Sequence, residues 1–153
     1  MNEAAMRSYR PEQDREDAHR IWLELGWLQA GQEEVLDLFL EGADAEVAEI
    51  EGRAECLVLM TPGTLRYLGQ DLALCAVTGV TTSLVGRKQG LAGRLTARAV
   101  ARQAARGAHV AGLGMFEQGF YNQLGFGTGS YEHFVHVDPA RLKPRGNQRT
   151  PAG

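Results

Sequence analysis

The order of apolar runs along this 153-residue chain predicts an α+β fold, an α/β sandwich. Three observations carry the prediction. Two segments of helical periodicity are followed by three strand-like runs. A glycine-rich turn then separates the third run from a long helical stretch. A further short strand, a short helix and a final strand close the order.

The elements can be justified in turn. Residues 6–9 read as a short strand closed by Pro11. Ala18, Ile21, Trp22 and Leu25 recur at i, i+3, i+4 and i+7, the apolar stripe of an amphipathic helix, which Gly26 ends. A second helix is expected over Glu33–Glu41, burying Val35, Leu38 and Phe39, while Trp22 and Trp27 read as core or groove-wall residues. Strand-like runs follow at 45–50, 53–60 and 72–82, with Glu51-Gly52 and Thr61-Pro62-Gly63 as turn signals. Gly79 interrupts the third run, which points to a bulge or to close approach by another backbone or a ligand. Residues 91–106 have helical character, and residues 109–113 resemble a short buried strand. Residues 116–124 read as a short helix stopped by Gly125, and 126–137 should hold at least one more strand. From Pro139 onward the basic residues Arg141, Lys143, Arg145 and Arg149 are interleaved with Pro and Gly and have little to bury. The expected organisation is one domain over 1–138 and a basic flexible tail or linker over 139–153.

Composition narrows the class. A hydrophobic share of 44% and a charged share of 23% are ordinary for a globular protein, and no apolar run approaches the roughly 20 residues of a membrane span. The N-terminus lacks the pattern of a secretory signal, so a cytoplasmic location and no membrane partner are expected. Cys56 and Cys75 each sit inside an apolar run without a second cysteine or histidine at ligand spacing, which reads as reduced core thiols and no metal. The net charge of −3 is unevenly spread: residues 1–60 carry 15 acids and 5 bases, residues 61–153 carry 4 acids and 11 bases. If folding keeps these halves apart, one side suits an anionic cofactor and the other a cationic acceptor; otherwise they are solvated helix faces. Arg94, Arg98, Arg102 and Arg106 form a stripe that reads as such a solvated face, with Arg94 the one placed to reach a ribose phosphate. Neither aromatic interleaving nor overall basicity supports nucleic-acid binding.

The chemistry concentrates at Arg87-Lys88-Gln89-Gly90-Leu91-Ala92. A glycine-rich turn between strand and helix leaves N–H groups without intrachain acceptors, and they point with the positive helix end toward an anion. A nucleotide-like cofactor is the natural guest. The chain has no Gly-x-x-x-x-Gly-Lys-Ser/Thr, and Gly112-Leu113-Gly114 lacks the third glycine of a dinucleotide site. A second element lies downstream, Phe116-Glu117-Gln118-Gly119-Phe120-Tyr121-Asn122-Gln123-Leu124-Gly125-Phe126-Gly127.

Together the turn and this element resemble the GNAT superfamily of N-acetyltransferases, whose Arg/Gln-x-x-Gly-x-Gly/Ala motif and Tyr-x-x-x-Gly-Phe helix end they match. Val80-Thr81-Thr82, Arg87 to Leu91 and Glu117-x-Gly119-Phe120-Tyr121 further resemble the enhanced-intracellular-survival (Eis-like) branch, of which only the first domain would be present. The resemblance implies a GNAT fold, with a mixed, mostly antiparallel sheet flanked by helices, and acetyl-CoA as co-substrate. It implies that the backbone of Val80, Thr81 and Thr82 lines the acyl and pantetheine arm. Arg87, Lys88, Gln89, Gly90, Leu91, Ala92 and Gly93 would form the pyrophosphate cradle. Phe116 and Glu117 would lie against the arm, and Tyr121 would be the general acid. Leu84 stands where the family usually has proline.

Tyr121 also has a physical case of its own. A thiolate leaving a thioester needs a proton, and a phenol of ordinary pKa about 10 is protonated at neutral pH yet able to donate. No nucleophilic triad is recognisable, so direct attack by an amine in a ternary complex is expected. For the general base, Glu117, His133, Asp71 and a water chain stay open. The expected acceptor is a primary amine on a cationic small molecule or a lysine side chain. The sequence is compatible with a homo-oligomer, and a non-catalytic acyl-CoA-binding domain is the alternative reading.

Overall fold

The computed structural model describes residues 4–114, 119–129 and 135–141. Its strands are β1 (Ala5–Ser8), β2 (Asp44–Ile50), β3 (Arg53–Tyr67), β4 (Gln70–Thr82) and β5 (Val110–Gly112), and its helices are α1 (Pro11–Glu24), α2 (Glu33–Glu41) and α3 (Leu91–Ala105). They form one five-stranded sheet in the order β1-β2-β3-β4-β5. Every pair is antiparallel except β4 and β5, which are parallel and are joined by α3, since a parallel pair needs a crossover. This is the mixed α+β sandwich that the sequence predicts.

The sheet separates two apolar layers because successive strand residues face opposite sides. On one side Ala18, Ile21 and Trp22 of α1 and Leu36 of α2 pack on Val47, Leu57 and Leu59. On the other, Leu91, Leu95 and Ala99 of α3 pack on Ala48, Cys56, Val58, Met60, Cys75 and Val77. Cys56 and Cys75 are free and buried, as expected; burial pushes the Cys56 thiol up to about 11.

Some expectations need correction. In α2 the buried residue is Leu36, with Leu40 packed beside it, whereas Val35, Leu38 and Phe39 are exposed. The apolar residues of this helix make two stripes, and the sheet selects the one containing Leu36 and Leu40. Thr61-Pro62-Gly63 is not a turn: β3 continues to Tyr67, and the chain reverses at Leu68 and Gly69, both with positive φ. Proline is tolerated because β2 pairs with β3 only as far as Met60, so no β2 acceptor goes unmet at Pro62. The strand expected within 126–137 falls on a region whose middle, 130–134, lies outside the described residues; 126–129 and 135–137 form no regular element. Of the helix expected over 116–124, the described part is a single 3-10 turn at Asn122–Leu124.

A further correction concerns charge. Three of the four arginines of the α3 stripe, Arg98, Arg102 and Arg106, make ion pairs with β2 while staying partly exposed. Glu46, fully buried, receives Arg98 Nε at 2.9 Å and also Arg102, and Arg106 meets Asp44 at 2.7 Å. Glu46 and Asp44 of the acidic half thus meet arginines of the basic half on the α3 side of the sheet, while the acid-rich α1 and α2 pack on the opposite side.

Candidate functional site

Gly79 fixes the geometry of the site. Leu57 pairs with Thr81 and Leu59 with Thr78, so two residues of β4 stand opposite the single residue Val58. This is the bulge expected from a glycine inside the strand. Gly79 has φ +55, and a Cβ there would lie 2.8 Å from Leu59 Cδ1 and 3.3 Å from Trp22 Cζ2. Both conformation and space therefore demand glycine.

Below the bulge, β4 and β5 pair from Leu74 with Val110 to Ala76 with Gly112, and the registered pairing ends there. Beyond it the two strands border a cavity of about 500 Å³. β4 contributes Val77, Thr78, Gly79 and Val80; the segment after β5 contributes Leu113 and Gly114; α3 contributes Ala92. Phe120 and Tyr121 form another wall, and Trp27 from the loop after α1 closes it. None of these residues carries a formal charge.

At the end of β4 the chain turns tightly into α3. The Ser83 N–H donates to the Glu55 carbonyl at 2.9 Å, and the Gly86 N–H donates to Ser83 Oγ at 2.9 Å. A Cβ on Gly86 would sit 2.9 Å from the Glu55 carbonyl oxygen, so this glycine permits close packing of the turn on β3. Lys88 (φ +62) and Gly90 (φ +70) are left-handed, and Gly90 caps α3 without any side-chain hydrogen bond to the helix. The first N–H groups of α3 thus have neither an intrahelical acceptor nor a side-chain cap, and the positive helix end opens there. Leu84, the departure from the family's proline, has a use: its N–H donates to Glu24 Oε2 at 3.1 Å, which proline could not do. Burial acts to raise the Glu24 pKa, but this bond and that from Arg20 win, and the carboxyl titrates below its ordinary value.

The Tyr121 turn is built with similar economy. Asn122 Oδ1 accepts from the Gly119 N–H at 3.1 Å, Asn122 Nδ2 donates to the Phe126 carbonyl at 3.1 Å, and the Phe126 N–H donates to the Tyr121 carbonyl at 3.1 Å. The Tyr121 ring packs edge-on between Phe120 (4.9 Å) and Phe126 (6.0 Å). Leu124 Cδ2 lies 3.6 Å from where a Gly93 Cβ would be, which seats this turn against the start of α3.

Of the predicted site residues, the structure brings Val80, Ala92 and Tyr121 to one cavity. Arg87, Lys88, Gln89, Gly90, Leu91 and Gly93 sit in the turn and first helical residues at its margin, with Leu91 buried in the core. Thr81 and Thr82 continue β4 toward that turn; Thr82 Oγ1 donates to Cys56 Sγ at 3.3 Å and Thr81 is buried. Phe116, Glu117 and His133 lie outside the described residues. Asp71 is at the other end of β4, paired with Arg66 at 2.5 Å, and is not brought to the cavity. Sequence reasoning missed Ser83, Gly86, Asn122 and Glu24; the Ser-x-x-Gly spacing was a legible turn signal, whereas the Glu24 contact spans the fold. Among the described residues no group of three or more His, Cys, Asp or Glu could hold a metal, and no helix is long and apolar enough to cross a membrane.

At this cavity the parallel pairing ends next to a bulge, a helix mouth lies at one end and a tyrosine stands on the wall. The chain belongs to the acetyltransferase (GNAT) domain family, which it matches over residues 8–129. Comparison with curated proteins finds no match. Among solved structures, a GNAT family acetyltransferase from Brucella melitensis in complex with acetyl-CoA is 19% identical, with TM-score 0.66 over 84% of this chain and 85% of its own. A transcriptional regulator from Bacillus halodurans C-125 is 19% identical, with TM-score 0.68 over 88% of this chain and 99% of its own. A conserved protein from Enterococcus faecalis V583, described as a probable N-acyltransferase, is 15% identical, with TM-score 0.71 over 80% of this chain but 32% of its own. These similarities concern the fold.

Proposed function

We propose that this chain is an acetyl-CoA-dependent N-acetyltransferase that carries acetyl from the thioester directly to a primary amine. The observation that carries the reading is the parting of β4 from β5 at Ala76 and Gly112, with Tyr121 on the wall of the resulting cavity. The residues present fit the co-substrate. No described strand pairs with that edge of β4 beyond Ala76, so its amides suit the amide groups of a pantetheine arm. The turn at Lys88 to Gly93 presents donors and a helix end suited to a diphosphate. Phe116 and Glu117 complete the proposed set by motif. The described cavity wall is uncharged and largely apolar, which strengthens any dipole aimed at a thioester carbonyl there.

In the proposed reaction the protein mostly orients. The bound ammonium first gives one proton to solvent, directly or through a water chain. The neutral nitrogen then attacks the carbonyl carbon; the C–N bond forms, the C–S bond breaks, and the nitrogen loses its second proton. Tyr121 gives its phenolic proton to the leaving sulfur and regains one from water, so the products are amide and free thiol. The acceptor is a small-molecule amine or a lysine side chain.

The motif residues Val80 to Thr82, Arg87 to Leu91 and Glu117 to Tyr121 favour an Eis-like branch, with the catalytic domain at 1–138 and a basic tail at 139–153. The free buried thiols accord with a reducing, cytoplasmic setting. Thiol release from acetyl-CoA, followed with a thiol-reactive dye across an amine panel, tests the reading. Wild type should turn over, and Tyr121→Phe should lose about 10²- to 10⁴-fold in kcat with coenzyme A affinity kept. Equal loss of both, or unchanged turnover, would remove Tyr121 from the chemistry.

A further inference from the structure

We infer that the outer face of α2 is a docking surface for a basic amphipathic helix of a partner protein. Val35, Leu38 and Phe39 receive the apolar row of that helix, and Glu34 and Glu41 receive its cations. Such docking goes beyond acetyl transfer and does not depend on it.

The packing of α2 exposes the apolar row. The helix turns Leu36 and Leu40 toward the core, which leaves its other apolar stripe open to solvent. Val35, Leu38 and Phe39 stand at i, i+3 and i+4, so they share one face, and they are 47%, 69% and 54% exposed. The row is seated on the core, since the Phe39 ring lies 6.2 Å from that of the buried Trp22. Apolar residues gathered on one exposed face mark an interaction surface, whereas single exposed ones do not.

Charge selects the occupant. α2 holds Glu33, Glu34, Asp37 and Glu41 and no basic residue. Asp37 is taken by Arg15 at 2.6 Å and His19 at 2.8 Å, and backbone N–H groups at the helix start hold the Glu33 carboxyl. Among the described residues, Glu34 and Glu41 make no ion pair. Glu34, Leu38 and Glu41 follow at i, i+4 and i+7, which sets these carboxylates about 10 Å apart along the axis, one at each end of the row. A second copy packed antiparallel about a two-fold axis would bring Glu34 of one helix to Glu41 of the other, and the like charges would repel. A helix with leucine-like residues at i, i+3 and i+4 and lysine or arginine beside them meets opposite charge at both ends. The aliphatic stems of those cations would also cover the rim of the row.

Fluorescence anisotropy tests the surface, with the full chain titrated into a labelled peptide of repeated Leu-Lys-Lys-Leu units, about four helical turns long. Peptides of repeated Leu-Glu-Glu-Leu and Gln-Lys-Lys-Gln reverse the charge and remove the apolar row, and each should bind at least about tenfold more weakly. Leu38→Glu keeps the surface acidic but destroys the centre of the row, and it should weaken binding about tenfold or more. Glu34→Gln with Glu41→Gln should weaken it about threefold or more and flatten its salt dependence. Glu51→Gln with Asp138→Asn makes the same change of charge on exposed residues outside α2 and should leave binding unchanged. Every substituted residue is exposed, and urea unfolding confirms that each variant is folded. Binding indifferent to Leu38→Glu, equal loss in the Glu51 and Asp138 variant, or equally tight binding of the Gln-Lys-Lys-Gln peptide would overturn the inference. A dimer in sedimentation that Leu38→Glu dissociates would overturn it too, since a second copy would then cover the face. None of these readouts uses acetyl-CoA, so their failure leaves the acetyltransferase reading untouched.

Discussion

Replacing Gly79 by alanine strikes the fold and the site at one atom, and the cost can be worked out. The left-handed φ of +55 costs a residue bearing a Cβ about 1–2 kcal/mol. The new methyl would also stand 2.8 Å from Leu59 Cδ1 and 3.3 Å from Trp22 Cζ2, and overpacking of this kind costs about 1–3 kcal/mol. Together the loss should be about 2–5 kcal/mol, less whatever Leu59 recovers by changing rotamer. If the strand relaxes instead by removing the bulge, Val80 shifts in register against Leu57 and Leu59, and the cavity edge is redrawn. Urea unfolding of Gly79→Ala should therefore show a lower midpoint, and titration calorimetry should show weaker coenzyme A binding even where the protein remains folded. A change in stability below about 0.5 kcal/mol together with unchanged coenzyme A affinity would refute the claim that the bulge shapes the site.

Glu46→Gln should cost about 1–3 kcal/mol in urea unfolding: it removes the charge that Arg98 and Arg102 bind, yet both arginines reach solvent and the amide can still accept a bond. Cys56, whose thiol burial raises to about 11, should resist alkylation at pH 8 in the native state and react on unfolding; rapid native labelling at Cys56 would contradict its placement. Hydrogen bonding to Arg15 holds the Asp37 carboxyl down at about 2, below its ordinary 3.8. Its stabilising effect is complete above pH 4 and lost as pH falls toward 2; an NMR titration midpoint for Asp37 near 3.8 would show that the Arg15 pair does not form in solution.

Much of this architecture was legible because local rules and tertiary demands agree. The α1 stripe of Ala18, Ile21 and Trp22 is buried as its period requires, and Gly79 marks a bulge because glycine alone fits there. The start of α3 follows Gly90 for the same kind of reason. Where several local solutions exist, tertiary contacts choose. Val35, Leu38 and Phe39 make as good a helical stripe as Leu36 and Leu40, and only the neighbouring sheet decides between them. Pro62 signals a turn in isolation, yet on a strand edge that β2 no longer covers its missing N–H costs nothing. The α3 arginines look solvated in sequence because Glu46 and Asp44 are distant in the chain, and an ion pair across a sheet leaves no periodic trace. In the site, the glycines and Tyr121 announce themselves through backbone conformation and chemistry. Glu24 does not, because its partner is a backbone N–H at Leu84 that the sequence cannot display.

The central claim is that one cleft, between the parted strands and the mouth of α3, receives coenzyme A with its sulfur toward Tyr121. A crystal structure with coenzyme A bound tests it most directly. The account predicts the diphosphate against the N–H groups of residues 88–93 and the sulfur within hydrogen-bonding reach of the Tyr121 hydroxyl. Diphosphate density elsewhere on the domain, or a sulfur pointing away from Tyr121, would contradict it.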